Sequence, residues 1–418
     1  MISYEEALKI ITSQAGAAKA QQVPLMQALG RIAAEDMISP IQVPSFRNSA
    51  MDGFAVCAAQ LASASEQSPV SLKIQAAIAA GDIASVGQAE TAAQIMTGAF
   101  VPEPYDAIVP VELVNISGDR VTFIKPARVG DHVRHPGEDV TKGQFVLHRG
   151  ETITPEIIML LSSLGITEVV IANVQRLHIL STGNEITDDY NKPVQGAQIY
   201  NSNAPYLMAT VQQQGLEVCY EGIVRDDPAL FESKIVAIKE PAIIISTGAV
   251  SKGVWDFIPE SLKNMGATIH FHRVNIRPGK PVLFAALPNG SFYFGLPGNP
   301  ISAAIGFTFF VMPLVRTLQG QPNTAPLMAT LENSFTKKGD FRQFLKASVW
   351  LDETGSLRVQ ISDGQESFKI SPMAANNAWV VLEEGATQVK AGEHVPVMLY
   401  AALKITSRSE DKTLCQAA

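Results

Sequence analysis

Phe292-Tyr293-Phe294-Gly295-Leu296-Pro297-Gly298-Asn299-Pro300 decides the reading of the chain. A short apolar strand runs into a Gly/Pro loop, and the loop runs into a helix. Asn299 stands where a helix cap belongs, and Pro300 suits the first helical position, where no N–H is needed. Ile301 to Met312 is then almost wholly apolar, which fits a buried core helix better than a cofactor box. Gly295 and Gly298 would let backbone approach a ligand, and free N–H groups at the helix start favour an anion. Open α/β sheets bind ligands at strand ends of this kind.

Working outward, Gln175 to Leu318 alternates strand and helix. Strands are expected at Arg176–Ser181, Glu217–Val224, Ala242–Ser246, Thr268–Val274 and Phe292–Phe294. Helices fit near Asn203–Gln214, Pro228–Ile238, Pro259–Met265 and Pro300–Leu318. Such alternation implies a mostly parallel, doubly wound sheet with helices on both faces. Upstream, Ser3 and Glu6 form a capping box, and a second helix is expected near Leu25 to Glu35. Met51 to about Val133 reads as β-rich, with segments such as Val70–Ile78 and Ala107–Val114. Thr154, Pro155 and Gly165 then cap, start and stop another helix. After Gln319-Gly320-Gln321-Pro322-Asn323, segments 326–333, 341–351, 356–361 and 394–403 read as strands of a small β domain.

The chain has 418 residues, too many for a single core, so about two to four domains are expected. Hydrophobic residues make up 46% and charged residues 17%, an ordinary folded composition. The net charge of −8 argues against a general nucleic-acid binder, and an anionic substrate would need a local cationic pocket. Cys57, Cys219 and Cys415 are scattered, supporting neither a disulfide framework nor a zinc knuckle. The apolar run Ile301–Val315 reads as too short to span a bilayer, and Met1 to Glu6 has no signal-peptide character. A cytoplasmic protein that binds neither membrane nor nucleic acid is the expectation.

Three strand ends carry Gly-rich loops: Ser181-Thr182-Gly183-Asn184-Glu185, Ser246 to Gly253, and Gly295 to Pro300. Together they would form a crevice of N–H and hydroxyl donors for a phosphate-bearing or nucleotide ligand. Glu185 and Asp256 lie beside these loops without an evident capping role, and carboxylates beside a phosphate suit Mg²⁺. Asp226-Asp227 reads equally as metal ligands or as the cap of a helix starting at Pro228. Arg273, Arg277 and Lys280 cluster around a Pro-Gly turn, suiting a compact oxyanion, with a solvated basic hairpin as the alternative. His270 and His272 alternate on a strand, and packing is favoured over a metal pair because no third ligand is in register. Asp52-Gly53 reads as a hairpin turn. GxSxG, HExxH, Walker and GxGxxG motifs are all absent, which leaves triad hydrolases, zinc proteases, P-loop ATPases and Rossmann dehydrogenases unsupported.

Taken in order, these segments resemble the molybdopterin molybdenumtransferase family (the MoeA and gephyrin E-domain proteins). The resemblance rests on Asn48-Ser49-Ala50-Met51-Asp52-Gly53-Phe54-Ala55-Val56, on Met96-Thr97-Gly98-Ala99 with Asp106, Ala107 and Glu112, and on Gly137-Glu138-Asp139. It continues through Ser181 to Glu185, Ser246 to Gly253, Arg277-Pro278-Gly279-Lys280-Pro281 and Leu296-Pro297-Gly298-Asn299-Pro300. Each motif is modestly specific, and their order and spacing are highly specific.

The resemblance implies a multidomain α/β plus β homodimer. An N-terminal helical domain (residues 1–43 with 137–172) is interrupted by a β-rich insertion (44–136). A molybdopterin-binding α/β domain (173–321), a β-barrel-like domain (322–406) and a tail (407–418) follow. It implies insertion of molybdate into adenylylated molybdopterin with release of AMP and dependence on Mg²⁺. The cleft would lie between the α/β domain of one subunit and the inserted domain of the other. The resemblance leaves room for transfer of the finished cofactor to molybdenum-enzyme maturation proteins. By the resemblance, Asp52, Glu185, Asp256 and Lys280 are catalytic, and Glu185, Asp226, Asp227 and Asp256 hold the metal. Thr97, Thr182, Gly248, Ser251, Arg273, Arg277, Pro281, Gly298, Asn299, Arg342 and Ser371 bind the substrates. Arg273 and Arg277 stand where many members have lysine, which keeps charge but changes hydrogen-bond geometry. The alternatives are a molybdopterin adenylyltransferase, whose fold the α/β domain alone resembles, and a non-enzymatic scaffold.

Overall fold

Ser3 opens the first helix, α1 (Tyr4–Gln14), by accepting the Glu6 N–H at 3.1 Å, a cap worth about 1 kcal/mol. The structure is a computed structural model that describes residues 1–82, 86–248 and 257–403. The chain divides into two compact units. Met1–Gln21, Gly30–Ala34 and Val170–Ala418 form the first, and Gln22–Leu29 with Glu35–Val169 form the second. Helix α1 belongs to the first unit, where Ala7 and Ile11 are fully buried. The helix expected near Leu25 to Glu35 is instead a single 3-10 turn, Leu25–Ala28. Gly30 follows with φ +73°, a conformation that ends helices.

The second unit holds a six-stranded sheet of β1 (Gly53–Val56), β2 (Val70–Ile78), β3 (Thr91–Ile95), β4 (Ala107–Pro110), β5 (Val114–Ser117) and β6 (Arg120–Phe123), in the order β4-β1-β3-β2-β6-β5. All four residues of β1 are buried: Phe54 and Val56 in one cluster, Ala55 in another. This is the period of two expected of a strand covered on both faces. Asp52-Gly53 is not a two-residue hairpin, because the flanking strands pair elsewhere. Gly53 lies opposite Pro110 and Ile95, and Asn48-Ser49 lies opposite Arg134 and Val133. Helix α2 (Pro155–Ser163) is also in this unit, with Thr154 as its cap and Gly165 at φ +73° beyond it. Helices α1 and α2 fall in different compact units, whereas the resemblance implies one helical domain of residues 1–43 with 137–172.

The first unit is built on a second six-stranded sheet. Its elements in chain order are β7 (Leu177–Thr182), α3 (Asn203–Gln213), β8 (Val218–Val224), α4 (Pro228–Ala237), β9 (Ile243–Thr247), α5 (Ile258–Asn264), β10 (Thr268–Phe271), β11 (Ile276–Arg277), β12 (Leu283–Ala286), β13 (Phe292–Leu296) and α6 (Pro300–Leu318). The sheet order is β8-β7-β9-β13-β12-β10. The first four strands are parallel, and β12 runs antiparallel to both its neighbours. In central β9, Ile243 and Ile245 enter the core that includes α3 and α6. Ile244 enters the opposite core with Phe231 and Ile235 of α4. Helix α6 is 19 residues long and apolar enough to cross a membrane by length and composition, longer than the apolar run suggested. Its most apolar window is 83% buried, so it is a core helix. It widens to a π turn at Phe307–Val311, just before Pro313, which has no N–H for the preceding turn.

The β domain is built on strands β14 (Leu327–Leu331), β15 (Arg342–Leu351), β16 (Leu357–Ile361), β17 (Ala378–Leu382) and β18 (His394–Leu399), with the short helix α7 (Ser371–Ala375) before β17. Their order β15-β16-β14-β18-β17 closes on itself through the β15–β17 pairing. The β domain is thus a five-stranded closed ring, whose interior holds Leu345, Ala347, Val349, Val380 and Val397. Strand β11, from the Arg277 turn, adds onto β15 in parallel, with Ile276 opposite Arg342 and Arg277 opposite Gln343.

Candidate active site

Strands β7, β9 and β13 are adjacent and in register, with Ser181 opposite Thr247 and Thr247 opposite Leu296. Their carboxyl ends therefore bring Thr182, Gly248 and Gly298 to one edge, and a cavity of about 890 Å³ opens there. Thr182, Glu185, Asp226, Gly248, Lys280, Pro281, Gly298 and Asn299 all line it. Among the described lining residues Lys280 is the only cationic side chain. Ser251 and Asp256 lie outside the described residues.

The loop N–H groups differ from the sequence expectation. Gly183 N–H donates to the Val224 carbonyl at 3.2 Å, and Gly248 N–H donates to the Leu296 carbonyl at 3.0 Å. The Ile301 N–H, at the start of α6, donates to the Ser367 carbonyl at 3.1 Å. Two of these donors close strand ends and the third docks a loop of the β domain, so these three N–H groups are engaged within the chain. Asn299 occupies the cap position of α6, but its side chain makes no capping bond. Its carbonyl accepts the Ala303 N–H instead. The Thr182 hydroxyl donates to the Thr247 carbonyl at 3.1 Å.

Two glycines explain themselves differently. Gly248 has φ +99°, and a Cβ there would lie 2.4 Å from the Thr182 carbonyl oxygen, so no side chain fits. Gly298 has no positive φ, and a Cβ would meet only the Gly248 Cα at 3.6 Å. Backbone approach within the chain does not require Gly298. Its missing side chain leaves room in the cavity.

The carboxylates separate by role. Glu185 folds back over Gly183, where a Cβ would lie 2.5 Å from Oε2. Asp226 Oδ2 accepts from Asn184 Nδ2 at 2.9 Å. Asp227 caps α4, accepting the Ala229 and Leu230 N–H groups at 2.9 and 3.1 Å, and does not line the cavity. Of the two readings of the Asp226-Asp227 pair, capping accounts for Asp227 and the cavity claims Asp226.

The basic cluster is also divided. The Arg277 guanidinium lies over the Phe341 ring, 5.5 Å from its centroid. It lines a neighbouring cavity of about 690 Å³ that shares Pro278, Ser367 and Phe368 with the first. Arg273 lines neither cavity, and its carbonyl accepts the Ile2 N–H. Arg342 is buried over the Tyr4 ring and ion-paired to Glu5 and, at 3.1 Å, to Glu384. A guanidinium so engaged is not presented to the cavity. Ser371 begins α7, one residue beyond the lining residue Ile370. His270 stacks on Phe284 at 5.3 Å, and burial holds its pKa below the usual imidazole range, as packing rather than metal binding predicts.

In the second unit, the Asp52 carboxylate accepts both the N–H and the hydroxyl of Thr97, at 2.7 and 2.8 Å. The backbone N–H bond first, and the hydroxyl bond second, hold the Asp52 carboxyl below the usual carboxylate range. Thr97→Val removes only the hydroxyl donor. The Asp52 pKa is then expected to rise part of the way toward its ordinary value in a carboxyl NMR titration, while the N–H bond keeps it from rising fully.

Sequence reasoning missed a polar network centred on the lining residue Asn201. Asn201 is 4% exposed and its Nδ2 lies 2.9–3.0 Å from Ser181 Oγ, Asp188 Oδ1 and Tyr220 Oη. Tyr220 donates to Asp188 Oδ2 at 2.6 Å. Burial, then the Asp188 carboxylate, raises the Tyr220 pKa, keeping it a neutral donor. Asn203 Nδ2 donates to the Gly298 carbonyl at 2.8 Å, tying α3 to the opposite loop. The polar run Asn201-Ser202-Asn203 before a helix was the available signal, and it reads as an ordinary cap.

Three family models cover most of the chain. They are the MoeA N-terminal region (domain I and II) over residues 2–165, the probable molybdopterin binding domain over 178–317, and the MoeA C-terminal region (domain IV) over 328–400. A curated molybdopterin molybdenumtransferase of Haemophilus influenzae is 37% identical over 379 residues, covering 89% of this chain and 92% of that one. One of Staphylococcus aureus is 34% identical over 406 residues, 95% of each chain. Two solved structures of the molybdopterin biosynthesis MoeA protein from Pyrococcus horikoshii superpose with TM-scores of 0.81 and 0.82. They are 30% and 26% identical, and each match covers 96% of this chain and all of the other. With its three domain models in order and relatives matched along nearly its whole length, this chain belongs to the molybdopterin molybdenumtransferase (MoeA) family.

Proposed function

We propose that this protein is a molybdopterin molybdotransferase of molybdenum cofactor biosynthesis. It takes adenylylated molybdopterin and molybdate, inserts molybdenum and releases AMP. The observation that carries this reading is the single cavity at the strand ends, in which Glu185 and Asp226 share the lining with Lys280. Names shared by relatives matched over 89–95% of the chain favour insertion over adenylylation alone or a scaffold role.

Molybdate and an adenylylated pterin are both anions, so their approach is unfavourable in water. The Lys280 ammonium offsets that repulsion where the two meet. Pro278 to Pro281 fix its backbone against the sheet, and Val274 N–H and Val282 N–H both bond the Lys280 carbonyl at 3.1 Å. The glycine-lined floor at Gly248 and Gly298 leaves space for the pterin or nucleotide. The hard oxygen donors of Glu185 and Asp226 suit Mg²⁺, with Asn184 orienting one Asp226 oxygen. When bound, Mg²⁺ supplies charge neutralisation at the phosphoanhydride. The family's homodimeric assembly is part of the proposal, with solution mass as its check.

The test is AMP release from adenylylated molybdopterin with molybdate and Mg²⁺. Wild type is expected to release AMP only when all three are present. Glu185→Gln keeps shape but loses charge, and is expected to raise the Mg²⁺ concentration for half-maximal release by about tenfold or more. No AMP release by wild type would overturn the reading.

A further inference from the structure

A second cluster of ligand-type side chains lies at the other end of the same sheet. His178 stands on β7, and Cys219 and Glu221 on the adjacent edge strand β8, with His178 directly opposite Cys219. One ligand atom from each of the three lies within 4.8 Å of the others. His178 Nδ1 is 2.7 Å from Glu221 Oε1, and these side chains are 15% and 27% exposed. His178 and Glu221 line a cavity of about 650 Å³. From His178 to Thr182, where β7 meets the substrate cavity, is four residues, roughly 13 Å along the strand. The mechanism above uses none of the three.

We propose that His178, Cys219 and Glu221 form a zinc site. The donor set is thiolate, imidazole and carboxylate, the mixture that suits Zn²⁺ and not Mg²⁺, which takes oxygen ligands. Three protein ligands leave a fourth position for water from the adjoining cavity. Zinc takes the place of the proton shared between His178 and Glu221, and the Cys219 thiol proton is released to solvent. The Arg176 guanidinium is the neighbouring cation, its Nη1 4.0 Å from Cys219 Sγ. Glu217 neutralises that guanidinium with bonds of 2.6 and 3.0 Å, which reduces its repulsion of a metal. The backbone around the site is fixed independently, because Lys234 Nζ bonds the Glu221 carbonyl.

The consequence is mechanical. Strand β8 is the sheet edge, and it leads at its carboxyl end to Asp226 of the substrate cavity. Its pairing with β7 slips between Tyr220 and Ile223, around Gly222 at φ +84°. A metal held by His178 and Cys219 before this irregularity and by Glu221 within it would hold the edge strand in register.

The experiment uses the full chain, freed of metal with a chelator. Cobalt is expected to bind at a single equivalent with a thiolate-to-cobalt charge-transfer band, which zinc then abolishes. Zinc, unlike magnesium, is expected to raise the melting temperature, as a ligand of the native state does. Cys219→Ser is expected to remove the band while Cys57→Ser and Cys415→Ser retain it. His178→Gln is expected to weaken cobalt binding more than about tenfold, as loss of one ligand requires. X-ray absorption of the zinc-loaded wild type needs no variant, and is expected to show one sulfur among nitrogen and oxygen neighbours. No band, a band that survives Cys219→Ser, or a zinc shell without sulfur overturns the proposal. Each readout is independent of AMP release, so failure here and failure of the transferase reading are separable.

Discussion

Lys280→Met is expected to lower kcat/KM for AMP release about 100- to 1,000-fold, about 3–4 kcal/mol of lost stabilisation. Methionine keeps the length and removes the charge. The magnitude follows from the cavity lining, where no other described cation stands by to compensate. Arg277 and Arg342 carry charge nearby, but one lies over Phe341 and the other is paired with Glu5 and Glu384. Lys280→Arg is expected to recover part of the loss, because charge returns while the point-like ammonium geometry does not. The measurement is steady-state AMP release against substrate concentration, with circular dichroism to confirm the fold. A Lys280→Met enzyme within threefold of wild type would remove this residue from the site.

Gly248→Ala is expected to cost about 100-fold in the same assay while the protein remains folded. The added Cβ would sit 2.4 Å from the Thr182 carbonyl oxygen, at a φ of +99°. That oxygen belongs to a central strand end and cannot swing aside, so the loop must move instead. Unfavourable backbone conformation of this sort costs about 1–3 kcal/mol, and a displacement near 1 Å at a site can cost about 100-fold. Gly298→Ala is the matched control for backbone strain, since its Cβ meets only ordinary contact. It is expected to leave the melting temperature unchanged and to raise KM by filling cavity space. A Gly248→Ala enzyme with wild-type rate would show that the loop is not fixed as described.

The fold was legible wherever local chemistry punctuates it. Thr154 with Pro155, Asp227 with Pro228, and Asn299 with Pro300 mark helix starts that the structure places at those residues. The alternation from β7 to α6 was legible for the same reason. Two strands that escaped, β12 and β17, are apolar runs covered on both faces, Leu283-Phe284-Ala285 and Ala378-Trp379-Val380. They show no two-residue period to read. The site was legible as a set of loops and less so as a set of roles. Arg273, Arg277 and Lys280 are close in sequence, yet β11 pairs with β15 between them and sends them to different surroundings. Asn201, Asp188 and Tyr220 meet only because β8 is paired to β7, a long-range fact invisible in any local window. The loop N–H groups read as free donors because nothing in the sequence shows that Val224, Leu296 and Ser367 carbonyls reach them.

The two-residue strand Ile276–Arg277 belongs to the barrel, and the four residues after it, Pro278 to Pro281, line the strand-end cavity. No linker separates the two duties. The barrel is therefore a handle on the ammonium group: any tilt of that closed ring drags Lys280 with it, and any anion that pulls on Lys280 tugs back on the ring.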